Sequence, residues 1–300
     1  MRELKEILKI ARSIGPKKIA VAKAEDEEVL LALEQARKEK IIQGILVGSK
    51  EQIKKLAEKN KINLYEYELI QEGDGLKASL LCSELIHQGK ADLMMKGLVD
   101  TGIFMRGILD KEKGLAVGKL LTHVAVFEIP DFPRLLLLTD VAINIAPTLL
   151  EKARIIQNAV DLAISIGIEN PKVACIAATE KVNPEKMPAT VDAACLSIMA
   201  KRGQIKGAIV DGPFGLDNAV SEESARIKGV KSPVAGKADI LLCPDIETGN
   251  VIYKTLIEFA KAKCGAIVSG AKTPIVLTSR ADSHETKFMS LALGTAGCRL

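Results

Sequence analysis

The 300-residue sequence has no tryptophan and only 3 tyrosines, and aromatic residues make up 3% of it. Stacking platforms for single-stranded nucleic acid are therefore scarce. Charge of neither sign dominates, since 42 Lys+Arg against 38 Asp+Glu leave +4, too little for a phosphate-backbone footprint. A nucleic-acid partner is not expected. The chain contains no P-loop, G-x-G-x-x-G, G-x-S-x-G or H-E-x-x-H pattern, so the common nucleotide, hydrolase and zinc-protease readings lack their mechanical parts. Long apolar runs are missing too: no stretch of about 18 uncharged apolar residues occurs, and MRELKEILKIARSIG alternates charged and apolar residues where a signal peptide would be continuously apolar. No membrane contact and a cytoplasmic location are expected. The six cysteines (Cys82, Cys175, Cys195, Cys243, Cys264 and Cys298) never approach C-x-x-C spacing and read as buried free thiols of a reducing compartment. The three histidines, His87, His123 and His284, have no second ligand at i+2 or i+4, which argues against a metal site built on them.

Apolar residues, by contrast, are plentiful at 48%, enough to offset the entropy of ordering the chain and to exclude disorder. The length favours two lobes over one core. Short leucine-rich or β-branched runs alternate with amphipathic stretches: KKIAVAKA then EDEEVLLALEQARKEK, QGILVGS then KEQIKKLAEKN, ADLMMKG then TGIFMRGILDKEKG. That alternation predicts parallel strands joined by crossover helices. LLTHVAVFEIP and PRLLLLTDVAIN are separated by so little chain that they can form an antiparallel hairpin. The rhythm restarts near Pro147, which divides the chain into a first lobe of 1–147 plus 275–300 and a second of 148–274. In this division GAIVSGA closes the second lobe and TPIVLTS crosses back to the first, placing the loop around Ser279 in a cleft.

Open α/β sheets bind ligands at the carboxyl ends of their strands, and four polar turns fall there. Lys96, Gly97, Asp100 and Thr101 precede a helix carrying Arg106 on its first turns. Such a turn can cradle an anion at a helix N-terminus, or Asp100 or Thr101 can simply cap the helix. Asp211-Gly212-Pro213, and Asp245 with Gly249 and Asn250, are explained without function by turn chemistry. Thr278-Ser279-Arg280, followed by Asp282, sets a hydroxyl beside a guanidinium, a pair that can bind a carbonyl and a phosphate together, or again a helix cap with Arg280 exposed.

Taken together, the runs VAKAEDEEVLLAL, MMKGLVDTGIFMRGILDKEKGL, LLTHVAVFEIP, LLLTDVAINIAPTL, DGPFGLDNAVS, ADILLCPDIETGNVIYKTL and TPIVLTSRADSHETK resemble the phosphate acetyl/butyryl transferase family, and its butyryl branch most closely. The resemblance implies a two-lobed α/β/α sandwich of mostly parallel sheets with an active-site cleft between lobes, as in isocitrate and isopropylmalate dehydrogenases. It also implies transfer of a short acyl group between coenzyme A and inorganic phosphate by direct attack in a ternary complex. Coenzyme A and phosphate are then substrates, and no cofactor or metal is required. On this resemblance Ser279 hydrogen-bonds the reacting thiol or oxyanion, Arg280 holds phosphate, and Arg106 is a second phosphate or coenzyme A contact. The resemblance also implies that Asp245, Gly249 and Asn250 are cleft residues, and the turns that carry Lys96, Gly97, Thr101 and Asp211 add these as expected binding residues. Where the acetyl branch carries its proposed base, seven residues after the serine, this sequence has Thr286. Asp282 or Glu285 is a candidate replacement, and electrostatic stabilisation of the thiolate is an alternative to any base. A homodimer or larger homo-oligomer is also implied, although NAVDLAISIG and ACLSIMA read as core helices.

Two further readings compete. A metal- and nicotinamide-dependent dehydrogenase of the same architecture would need an acidic or histidine cluster that spacing does not assemble. A non-catalytic anion-binding module would need only the turns.

Overall fold

The computed structural model describes residues 1–116, 118–279 and 282–298. The chain opens with α1 (Leu4–Ile14), β1 (Lys17–Ala22), α2 (Glu27–Lys38), β2 (Ile42–Gly48), α3 (Lys50–Lys59), β3 (Glu68–Gln71), α4 (Gly75–His87), β4 (Leu93–Lys96) and α5 (Thr101–Ile108). It continues with β5 (Thr122–Glu128), β6 (Leu136–Thr139), α6 (Leu149–Ser165), β7 (Lys172–Ile176), α7 (Pro188–Lys201), β8 (Ile209–Phe214), α8 (Leu216–Val220) and α9 (Glu222–Ile227). Last come β9 (Ile240–Leu242), α10 (Ile246–Glu258), β10 (Lys263–Ser269), β11 (Ile275–Val276) and α11 (His284–Gly297). The alternation read from the sequence is present, and side-chain caps punctuate it. Asp26, Ser49, Asp74 and Asp100 each accept a backbone N–H in the first turn of the helix that follows. Each satisfies a donor that the helix cannot pair internally.

Contacts divide the chain into two units, one of Lys5–Lys119 with 265–298 and one of Met1–Leu4 with Leu120–Cys264. In the former the strand order is β3-β2-β1-β4-β11-β10. β1 pairs parallel with both β2 and β4, and β11 pairs parallel with β4 in the register Ile275↔Met94 and Val276↔Met95. The carboxyl-terminal strand thus lies beside β4. The sheet's direction of growth reverses between β1 and β4, the switch point where such sheets hold ligands at strand carboxyl ends. Ile19–Ala22 and Leu93–Met95 are fully buried, as expected of strands covered on both faces.

One strand departs from expectation. β10, read as closing the second lobe, pairs antiparallel with β11 through Val268↔Ile275 in this sheet. The link 270–274 is too short for a crossover, so the two strands can only form a hairpin.

In the second unit the order is β5-β6-β9-β7-β8. β5 and β6 form the antiparallel hairpin inferred from their short separation, while β6–β9, β9–β7 and β7–β8 are parallel. The hairpin belongs with this unit because β6 takes β9 as its neighbour (Leu137↔Ile240), so the contact boundary falls at Lys119/Leu120 and not near Pro147. Strand partnership across a hundred residues is not written into the local pattern that suggested Pro147. Helix α6 is buried along much of its length, as its composition implies. ACLSIMA differs, because α7 leaves Ile198 47% exposed. No described helix is long and apolar enough to cross a membrane.

Candidate active site

The turn after β4 is shaped by close backbone approach. Gly97 N–H donates to Ala22 O at 2.9 Å and Leu98 N–H to Lys23 O at 2.6 Å. A Cβ on Gly97 would lie 2.1 Å from Lys23 O, so only glycine fits where β4 leaves the sheet beside β1. Lys96 is 3% exposed, and its ammonium donates to Gly97 O at 3.3 Å and Val99 O at 3.1 Å. It braces its own turn with a buried charge. Asp100 accepts from Gly102 N–H at 2.9 Å and Ile103 N–H at 3.3 Å, so the α5 N-terminus is capped by a side chain of this protein. Thr101 and Arg106 are exposed on α5. Of this group, Arg106 is the cation presented to solvent. Lys23, at φ +60°, pairs with the buried Glu25 and donates to Gly73 O at 2.8 Å, fastening the β1 turn to the start of α4.

The Ser279 turn follows β11, beside β4. It is closed from two sides. Asp282 Oδ2 accepts the Ser279 N–H at 2.6 Å, and Asp282 N–H donates back to Ser279 O at 3.2 Å. From beneath, Lys287 of α11 donates to Ser279 O at 3.4 Å and also to Asp282 O. Lys287 is 2% exposed. Ser279 itself is exposed. Ser283 caps α11 by accepting from Thr286 N–H, and His284 N–H donates to Glu28 at 2.8 Å, tying the start of α11 to α2. Arg280, paired with Ser279 in the sequence reading, lies outside the described residues. The register of β4 against β11 brings the Lys96 and Ser279 turns to the same end of adjacent strands.

In the other unit, the turns after β6 and β9 meet. The buried Asp140 accepts from Ala142 N–H at 2.9 Å, Ile143 N–H at 3.0 Å, His123 N–H at 3.1 Å and Asn144 Nδ2 at 2.6 Å. Asp245 caps α10 by accepting from Thr248 N–H at 2.8 Å. The first turn of α10 lies directly on Asp140–Val141, where a Cβ on Gly249 would fall 2.2 Å from Asp140 O. Asn250 Nδ2 reaches Val141 O at 3.4 Å. Asp245, Gly249 and Asn250 are therefore assembled around Asp140. Asp211 is not part of that group: it lies within β8, separated from β6 by β9 and β7, and accepts from Ser197 of α7 at 3.0 Å.

Asp140 and Lys287 escaped the sequence reading, and each carried a signal. Asp140 ends a run of four leucines and a threonine, an acid where a buried strand would otherwise continue. Lys287 shares a helical stripe with Leu291 and Gly294, so an apolar face carries one cation. Cys82, Cys175 and Cys243 are not nucleophiles in waiting. Burial pushes the thiols of Cys82, Cys175 and Cys243 well above the usual range, and the charges of Asp211 beside Cys175 and of Asp245 and Asp140 beside Cys243 add to it. Among the described residues no three of His, Cys, Asp and Glu converge as a metal-binding group, so the donor set a metal-dependent dehydrogenase would require is not assembled from them.

Two units of mainly parallel sheet, with polar turns gathered at strand carboxyl ends, define an α/β enzyme fold. The model of the phosphate acetyl/butaryl transferase family matches residues 71–295, and the chain belongs to that family of acyltransferases. It is 54% identical over 293 residues to a phosphate butyryltransferase of Clostridium acetobutylicum, covering 98% of this chain and 97% of the relative. A phosphate acetyltransferase of Thermotoga maritima is 48% identical over 290 residues, covering 97% of this chain and 98% of the relative. Among solved structures, a branched-chain phosphotransacylase from Enterococcus faecalis superposes with a TM-score of 0.83 at 34% identity, over 94% of this chain and 99% of that one. The dehydrogenase reading is not favoured by these relationships.

Proposed function

We propose that this acyltransferase moves a short acyl group of the butyryl type between coenzyme A and inorganic phosphate. The observation that carries the acyl preference is full-length similarity to a phosphate butyryltransferase, with the exposed Ser279 held on a braced turn at the carboxyl end of β11. In the direction from acyl-CoA, a phosphate oxygen attacks the thioester carbonyl, a tetrahedral oxyanion forms, and the carbon–sulfur bond breaks to release coenzyme A thiolate, which then takes a proton. In this reading Ser279 donates a hydrogen bond to the oxyanion or the departing sulfur, and Arg280 neutralises the phosphate. Arg106 supplies a second exposed cation. Lys96, Gly97 and Thr101 act through the shape of their turn, and Asp245, Gly249 and Asn250 through the Asp140 assembly. Asp211 supports α7. Asp282 holds the Ser279 N–H, so in this reading thiolate release rests on electrostatics and proton transfer on Glu285, solvent or substrate.

The reading extends to assembly and location. Of the thirteen residues of α10 only Gly249 is buried, while Val251 is 63% and neighbouring Phe259 85% exposed. A second copy of the chain covering the apolar faces of α7 and α10 would bury them. That the described cysteines form no disulfide supports a reducing, cytoplasmic setting.

Acetyl and butyryl differ by two methylenes at about 0.8 kcal/mol each, so kcat/KM with acetyl-, butyryl- and isobutyryl-CoA should differ by roughly tenfold. Highest kcat/KM with a four-carbon acyl group is the expected result. Highest kcat/KM with acetyl-CoA would overturn the butyryl assignment.

A further inference from the structure

A buried lysine with only carbonyl partners needs a reason. Lys287 sits on the otherwise apolar inner stripe of α11, 2% exposed, and its ammonium donates to the backbone oxygens of Ser279 and Asp282. No carboxylate forms an ion pair with it among the described residues. Burying an ammonium on neutral acceptors is costly, and a leucine or methionine would serve packing better. What the ammonium does that no apolar side chain can is bind two carbonyls of one turn at once. Those carbonyls flank the turn whose other side is closed by Asp282 Oδ2 on the Ser279 N–H. The backbone on which Ser279 stands is thereby fixed at N–H and at C=O, although the residue is exposed.

We propose that Lys287 is the positioning residue of the Ser279 hydroxyl, acting on the reaction through that turn. The inference rests on the reading of Ser279 as the group that meets the reacting thiol or oxyanion. A hydroxyl aimed by a rigid turn supplies its hydrogen bond without reorganisation, and a misplacement of about 1 Å costs about 10²-fold in rate. Because Lys287 acts through Ser279, the two should not be additive.

The test uses the full-length protein with Lys287→Met, Lys287→Arg, Ser279→Ala and the Lys287→Met/Ser279→Ala double variant. For Lys287→Met we expect kcat lowered by about 10²-fold with KM for acyl-CoA within about twofold. Lys287→Arg should recover part of the loss, and adding Lys287→Met to Ser279→Ala should cost less than about threefold more. Equal losses from Lys287→Met in both backgrounds, or an unchanged kcat, would overturn the proposal. A Ser279→Ala variant with full turnover would overturn the reading of Ser279 and, if Lys287→Met is still impaired, the proposal with it. Amide hydrogen exchange over 277–284 gives a readout independent of turnover. Faster exchange there in Lys287→Met, with β1 and α2 unchanged, is expected, and unchanged exchange in that segment would contradict the bracing role even if no acyl-CoA were a substrate.

Discussion

The carboxylate of Asp282 accepts the backbone N–H of Ser279 at 2.6 Å, so the acid nearest the serine is engaged in building its turn. The contact separates a turn-forming role from proton transfer. Asparagine retains an oxygen that can accept the Ser279 N–H, whereas alanine does not. Asp282→Asn should keep kcat within about tenfold of the parent and Asp282→Ala should fall further, whereas loss of a general base would cost about 10²-fold to 10⁴-fold whichever residue replaces it. Steady-state kinetics on the pair decides: equal, large losses in both would assign Asp282 to proton transfer.

Gly249 makes a second prediction. Its missing Cβ leaves room for Asp140 O, which would stand 2.2 Å from an added methyl group, with Val141 Cα at 3.1 Å. Backbone on both sides cannot give way cheaply. Gly249→Ala should destabilise the unit by about 1–3 kcal/mol in urea unfolding. Gly73, where an added Cβ meets nothing within 4 Å, is the matched control, and Gly73→Ala should leave the midpoint unchanged.

Glu34 carries a pH dependence. Burial pushes its carboxyl up, but hydrogen bonds from Arg37 at 2.9 Å and Tyr67 at 2.9 Å outweigh burial and hold it below the usual carboxylate range. A depressed folded-state pKa contributes stability that is present above the unfolded value of about 4.3 and is lost as pH falls through the folded value. Glu34→Gln should therefore cost about 1–3 kcal/mol at pH 7. The gap from the parent should close in unfolding curves measured below about pH 4. A gap independent of pH would contradict the charge-based account.

Much of this architecture was legible from periodicity alone. β1 through β4 with their helices and the β5–β6 hairpin follow from run length, alternation and the shortness of one connection. What periodicity could not reach was partnership. β10 reads like any buried strand, and only its hairpin with β11 assigns it to the first sheet. The pairing of β6 with β9 likewise moves the hairpin to the second unit. Among the candidate site residues, Ser279, Asp245, Gly249 and Asn250 are the ones that turn chemistry and family resemblance both mark. Asp140 and Lys287 are not among them, because their importance lies in how many backbone groups of a distant or folded-back turn they satisfy, which no local spacing records.

Acyl transfer between coenzyme A and phosphate is read out in a single assay. Purified protein is mixed with butyryl-CoA, with and without inorganic phosphate and with a metal chelator present, and the release of coenzyme A thiol is followed together with trapping of acyl phosphate by hydroxylamine. Thiol release that depends on phosphate, matched by hydroxamate formation and lowered by on the order of 10²-fold or more in Arg280→Ala, is the predicted result. Thiol release without phosphate, or none with any short-chain acyl-CoA, would contradict the account.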